Sequence, residues 1–189
     1  MTATTPQPTQ LSLEAFLELP ETQPASEYID GKIYQKPMPQ GEHSLLQTEL
    51  LAAINRVAKP QKIAHAFPEL RCPFGGRSLV PDISVFEWSR ILRTENGRIA
   101  NKFEIPPDWT IEILSPDQSP NRVIRKIAFC LQQGTKLGCF LDPGDESITV
   151  FQPNCTPEFK EGEDSLPVLS VLGDWQLTVA EIFSWLTLD

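Results

Sequence analysis

Two stretches decide how this chain folds: SLVPDISVFEW (residues 78–88) and PPDWTIEILSPDQSP (residues 106–120). The centres of both are rich in β-branched and aromatic residues, the composition of strands that fit a pleated, buried surface. Each also carries an acid in its apolar run, Asp82 in the first and Glu112 in the second. An ionised carboxylate left unpaired in a protein interior costs several kcal/mol. Two such residues so placed imply that something positive sits between them.

If the two segments pair antiparallel across the intervening residues, Asp82 near the start of one strand and Glu112 near the end of the other meet at one edge of the sheet. Neighbouring strands lie about 4.8 Å apart, so two carboxylates on one face can share a cation. Hard oxygen ligands in that arrangement suit Mg²⁺ or Mn²⁺, with water completing the shell. The strand of Glu112 ends near Ser115, about 10 Å further along at strand rise. A helix opening at Pro120 and packed back on the sheet has returned about 9 Å by Lys126. Lys126 therefore arrives level with Glu112, on the border of an apolar stripe of Val123, Ile127 and Cys130; Arg122 and Arg125 have similar reach. The plainer alternatives are an ordinary strand residue after Pro81 for Asp82, and a metal-free salt bridge to Lys126 or Arg125 for Glu112.

Outward from these strands the chain reads as follows. LSLEAFLELP (11–20) is a short amphipathic helix ended by Pro20. SEYIDGKIYQK (26–36) is a hairpin about Asp30-Gly31. HSLLQTELLAAINRVAK (43–59) is a long helix stopped by Pro60. A strand follows around KIAHAFPELR (62–71), and residues 89–107 form a polar surface excursion. Ser119 is placed to cap the helix after Glu112, Pro120 takes its first turn and Gly134 follows its end. KLGCFLDP and SITVFQP pair through DPGDES, a last strand lies near LPVLSVL (166–172), and LTVAEIFSWL closes the chain as a helix. The order predicts an α/β (α+β) fold, a mixed sheet flanked by helices, as a single domain over residues 11–189 behind a disordered leader, residues 1–10.

The composition is that of a soluble globule, with 40% hydrophobic and 22% charged residues, and no apolar run is long enough to span a membrane. Cys72, Cys130, Cys139 and Cys155 lack metal-site spacing, and with no signal peptide they read as reduced thiols of a cytoplasmic protein. The net charge of −9 is unevenly spread. Residues 56–136 hold thirteen Lys and Arg against eight Asp and Glu, whereas residues 137–189 hold one against ten. The positive third is the one carrying both buried acids, which hints at a polyanion surface. The four tryptophans read as packing residues.

PDISVF followed by EIL resembles the PD-(D/E)XK restriction-endonuclease-like superfamily. Six segments in order, EYIDGKI, EHSLLQTEL, VPDISVF, WTIEILSPDQS, KIAFCLQQGTKLGCFLDP and LTVAEIF, more specifically resemble the putative restriction endonuclease (Uma-type) family. The likeness spans about residues 11–186. It departs from the superfamily pattern in that Leu114 stands where the lysine would follow the acid; the Uma-type family resembles other members whose lysine has migrated to the following helix, and Lys126 matches that place. The family's frequent Asp before that lysine is also missing from NRVIRK. The resemblance implies a restriction-endonuclease-like core and a metal-dependent endonuclease acting on nucleic acid, DNA in the first instance. Asp82 and Glu112 would hold Mg²⁺ or Mn²⁺, and Lys126 would orient water or stabilise the transition state. Glu27 and His43 enter as accessory candidates from the same segments, with Glu49 behind them. Double-strand cutting by one site per chain implies a homodimer. The alternatives are a non-cleaving nucleic-acid-binding or interaction protein on the same fold, and a phosphodiesterase with another substrate.

Overall fold

The computed structural model describes residues 11–116 and 118–187; the expected leader, residues 1–10, lies outside them. Helix α1 (Leu13–Leu17) is capped by Ser12, whose hydroxyl accepts from the Ala15 N–H at 3.1 Å. Strands β1 (Ser26–Ile29) and β2 (Lys32–Gln35) form the expected hairpin. Its turn residues Asp30 and Gly31 have φ of 51° and 81°, the left-handed pair that matches strand twist. Next come α2 (Gly41–Gln61), β3 (Ala64–Pro68), β4 (Cys72–Phe74), β5 (Arg77–Leu79) and β6 (Ile83–Glu87). After the excursion follow β7 (Trp109–Ile113), α3 (Pro120–Gln132), β8 (Leu137–Asp142), β9 (Ser147–Phe151), β10 (Glu158–Glu161) and α4 (Val179–Ser184).

The strands make two sheets. The larger has the order β10-β9-β8-β7-β6-β3 and is antiparallel except for the parallel pair β7–β8, which α3 connects; the smaller has the order β2-β1-β5-β4. β6 and β7 pair antiparallel with Ile83 opposite Ile111, as the spacing of the two acids requires. Side chains alternate along β7. Trp109, Ile111 and Ile113 enter the main core with Leu46, Leu50, Ile54 and Ala58 of α2 and Val179, Ile182 and Phe183 of α4. Thr110 and Glu112 consequently face the opposite side of the sheet, where Val123 and Ile127 of α3 pack on Phe140 and Phe151. A third cluster, including Phe129 and Cys130 of α3 with Cys72, Phe74 and Leu79, ties the small sheet to the same helix.

Several expectations are corrected. Pro60 does not stop α2 but lies within its last turn; the helix ends at Lys62, whose left-handed backbone (φ 54°) satisfies the Ala58 and Lys59 carbonyls. A proline there forfeits one bond near an exposed end, which is tolerated. Ser119 occupies the cap position of α3, but its side chain makes no capping bond. LPVLSVL is not a strand. Leu166, Leu169 and Leu172 bury at a spacing of three rather than two, Pro167 removes a ladder donor, and the segment ends in a 3-10 turn over Ser170–Leu172. The strand in that region is β10, a charged edge. The excursion is polar, but it is pinned by Phe103, fully buried against Phe67 and Phe86. The cysteines are unpaired, three buried and Cys155 exposed. No helix among the described residues is long and apolar enough to cross a membrane.

Gly138 of β8 lets α3 seat flush on the sheet, because a Cβ there would collide with Cγ2 of Ile127. Ile127 neighbours Lys126, so the contact sets how deeply that lysine reaches. Gly138→Ala is expected to lose about 1–3 kcal/mol of stability through overpacking, measurable by urea denaturation.

Candidate active site

The site forms where the two sheets meet the start of α2 and the middle of α3. Its centre is the Lys126 ammonium, which lies 2.7 Å from Oε2 of Glu112 and 2.9 Å from Oε1 of Glu27. Glu27 Oε1 also accepts the Val80 N–H at 2.8 Å, so β1 is fastened to the chain just before Asp82. The Asp82 carboxylate accepts the Ile113 N–H on Oδ2 at 2.7 Å, which fixes it beside the end of β7. Its Oδ1 lies 2.6 Å from Nζ of Lys36 and 3.4 Å from Nε2 of His43. Lys36 also donates to the Val80 carbonyl at 3.0 Å and lies 3.6 Å from Glu69. Nδ1 of His43 is 3.2 Å from the Ser115 hydroxyl, and Gln47 donates to the Asp82 carbonyl at 2.8 Å. All five residues proposed from the sequence (Glu27, His43, Asp82, Glu112 and Lys126) are buried here together. Glu49 is joined to the cluster by no hydrogen bond or ion pair among the described residues. Arg122 and Arg125 lie exposed outside it.

Lys36 is the member that sequence reasoning missed. It follows a mostly exposed strand and stands 46 residues from Asp82, so no local periodicity singles it out. The available signal was charge balance, since three buried carboxylates call for more than one lysine.

The two central acids have opposed electrostatics. Burial works to raise the Asp82 carboxyl, but the Lys36 cation and the His43 hydrogen bond outweigh it and hold the group below the usual carboxylate range. For Glu112 burial wins: Lys126 opposes it, nearby Asp82 reinforces it, and the carboxyl is pushed up. Burial disfavours the Lys126 ammonium, yet Glu112 and Glu27 hold its proton more firmly than usual. Lys36 is likewise raised, with burial offset chiefly by Asp82. Three formal negative charges face two positive ones, and Oε1 of Glu112 is buried without a hydrogen-bond partner. A cation beside Glu112 and Asp82 would supply both the missing charge and a partner for that oxygen. No three His, Cys, Asp or Glu side chains converge as a ligand set among the described residues. Two carboxylates, Asp82 and Glu112, are what the cluster would offer such an ion, and the rest of its shell would have to be water or phosphate oxygen, which Mg²⁺ accepts.

Three cavities reach the cluster. Lys126 lines one of about 630 Å³, Glu27 and Lys36 one of about 260 Å³, and His43 and Ser115 one of about 510 Å³. Asp82 and Glu112 line none of these three; Lys126, Glu27 with Lys36, and His43 with Ser115 are the cluster members at their walls.

Glu112 of the interior strand β7, Asp82 just before the neighbouring β6 and Lys126 of the following helix are thus gathered in one buried cluster. Residues 13–180 match the family model Uma2, described as putative restriction endonuclease, and the chain belongs to that family. A crystal structure of a putative nuclease belonging to DUF820 from Anabaena variabilis ATCC 29413 is similar, at 55% identity with a TM-score of 0.91. The match covers 93% of this chain and 99% of that one. No curated protein matches the chain. Family and fold together support a nuclease.

Lys36→Met is expected to destabilise the protein by about 3 kcal/mol near neutral pH, because it leaves a buried carboxylate short of its partner. The Asp82 carboxyl is depressed in the fold, so its stabilising effect is present above the ordinary carboxylate range and lost as pH falls through the folded value. The gap between wild type and Lys36→Met should therefore shrink in acid, as followed by denaturation at several pH values.

Proposed function

We propose that the chain is a metal-dependent endonuclease that hydrolyses phosphodiester bonds of DNA, with Asp82 and Glu112 holding Mg²⁺ or Mn²⁺ and Lys126 as the catalytic lysine. The observation that carries this is the state of the Glu112 carboxylate: one oxygen lies on the Lys126 ammonium, the other is buried without a hydrogen-bond partner, and Asp82 is close enough to push the carboxyl up. When bound, a divalent ion would lower the pKa of a water and neutralise charge developing on phosphorus.

The remaining roles belong to the chain itself. Lys126, clamped by Glu112 and Glu27, presents a fixed positive charge to a scissile phosphate arriving through the cavity it lines. A donor held in place before the reaction stabilises developing charge at little reorganisation cost. Glu27 positions Lys126. With its proton on Nε2, His43 donates to Asp82 and accepts the Ser115 hydroxyl on Nδ1, which orients the Asp82 carboxylate. Cutting both strands of a duplex from one site per chain calls for two chains, so the proposal includes a homodimer.

A second reading, a nucleic-acid-binding protein that retains the fold without cleaving, draws on a different observation. Asp82 and Glu112 are already paired with Lys36 and Lys126 and line none of the three cavities.

The deciding experiment incubates supercoiled and linear DNA with wild type and Glu112→Gln in Mg²⁺ and in Mn²⁺. Wild type is expected to cleave, and Glu112→Gln to lose at least about a hundredfold in rate while remaining folded. Because the Glu112 carboxyl is raised, ionising it costs stability as pH rises through the folded value. Glu112→Gln should accordingly unfold no more readily than wild type at alkaline pH. A fully active Glu112→Gln would remove that residue from the mechanism, and inactivity of wild type with both metals would favour the binding reading.

A further inference from the structure

The largest cavity beside the cluster carries a charge pattern at odds with the acidic chain around it. Arg77, Arg122, Arg125 and Lys126 line it, with Tyr34 and Phe129 as its aromatic members. Asp30 also lines it and is paired with Arg77 at 2.8 and 3.0 Å. Arg122 and Arg125 are exposed and have no carboxylate partner among the described residues. Two of the arginines lie against aromatic rings: the Arg122 guanidinium is 4.9 Å from the centroid of Tyr34, and that of Arg77 is 4.1 Å from the centroid of Phe129. Such stacking holds a guanidinium in a set orientation and leaves its outer face free for a second planar group. Tyr34 and Arg122 also line the smaller cavity containing Glu27 and Lys36, so this pair forms the ridge between two routes to the cluster.

Resting on the nuclease reading, we propose that this groove binds one strand of the nucleic-acid substrate where it is unpaired, at a single-stranded segment or at a stretch of duplex opened beside the cut. Phosphates lie on Arg122 and Arg125, bases stack on the arginine–aromatic pairs, and the strand is led to Lys126. Three features select a single strand. The positive charge lines a cavity of about 630 Å³ instead of spreading over a broad convex face. Its planar groups need unstacked bases as partners, which a duplex does not offer. The ammonium that ends the groove is itself in contact with Glu112 and Glu27, so a backbone tracking the arginines arrives at the cluster without crossing the acidic remainder of the chain.

The test is fluorescence anisotropy of a labelled single-stranded oligonucleotide and its duplex in EDTA across a salt series, alongside the cleavage assay. Wild type is compared with Arg122→Gln/Arg125→Gln and with Arg56→Gln/Arg98→Gln, which removes the same charge from exposed positions elsewhere. Wild type should bind the single strand more tightly than the duplex. The groove variant should lose about tenfold or more in affinity and about 1.4 from the salt slope, two phosphate contacts' worth for a single strand; the control pair should bind like wild type. Tyr34→Ala should weaken single-strand binding by about tenfold through lost stacking. Equal losses in the groove and control variants would overturn the proposal and leave the nuclease reading intact if wild type still cleaves. Duplex binding as tight as single-strand binding, and equally sensitive to the arginines, would overturn the choice of a single strand. Absence of both binding and cleavage in wild type would overturn the groove and the nuclease reading together.

Discussion

The Lys126 ammonium joins three parts of the chain at one point: Glu27 on the N-terminal hairpin, Glu112 on a central strand, and the helix that carries the lysine itself. A buried ion pair of this kind is a poor source of net stability, since desolvating the charges costs nearly as much as their attraction returns. Its value lies in geometry. With the ammonium buried, both carboxylates must approach to hydrogen-bond distance, and the backbone of α3 must lie close enough to allow it. Gly138 meets that last condition by leaving out a side chain under Ile127.

Around this contact the charges are left unequal. Asp82 is held ionised by Lys36 and His43, while Glu112 shares its lysine with Glu27 and is pushed towards protonation by its surroundings. Pairs of acids driven apart in this way recur where one fold must both bind charge and exchange protons. A structural network under no functional demand would more simply carry one fewer acid, or bury apolar residues of similar volume. What distinguishes this cluster from the Arg90–Asp108–Lys136 ion pairs, where two cations lie on one buried acid, is that its three carboxylates outnumber its two lysines and that Oε1 of Glu112 has neither a hydrogen bond nor an ion pair among the described residues.

Much of this was legible before any coordinates. Asp82 and Glu112 could be placed side by side because an antiparallel pair makes two distant sequence positions local. Lys126 could be levelled with Glu112 because strand rise and helix rise are fixed lengths. Where the reading failed, the deciding contact was non-local or the signal was shared by two structures. Lys36 reaches Asp82 from a hairpin in the other sheet, so nothing in KIYQKP marks it. Glu27 entered as a candidate only through the resemblance, because its lysine partner lies 99 positions away and no local pattern marks it. LPVLSVL has the apolar content of a strand, and only the burial of every third leucine reveals the tighter turn. The short hairpin of β4 and β5 offers three residues a side, too few for alternation to register.

The cluster draws its members from both sheets, and this bears on how the chain unfolds. Glu27 belongs to the small sheet and Lys36 directly follows it, whereas Glu112 lies in the large sheet and Asp82 immediately precedes its strand β6. If the hairpin frayed alone, it would carry one cation and one anion away and leave two acids facing a single lysine in a half-opened interior. Partial opening is therefore electrostatically worse than either end state. The buried charges make the two sheets a single cooperative unit, and the slowest-exchanging amides should extend through the hairpin as well as the central strands.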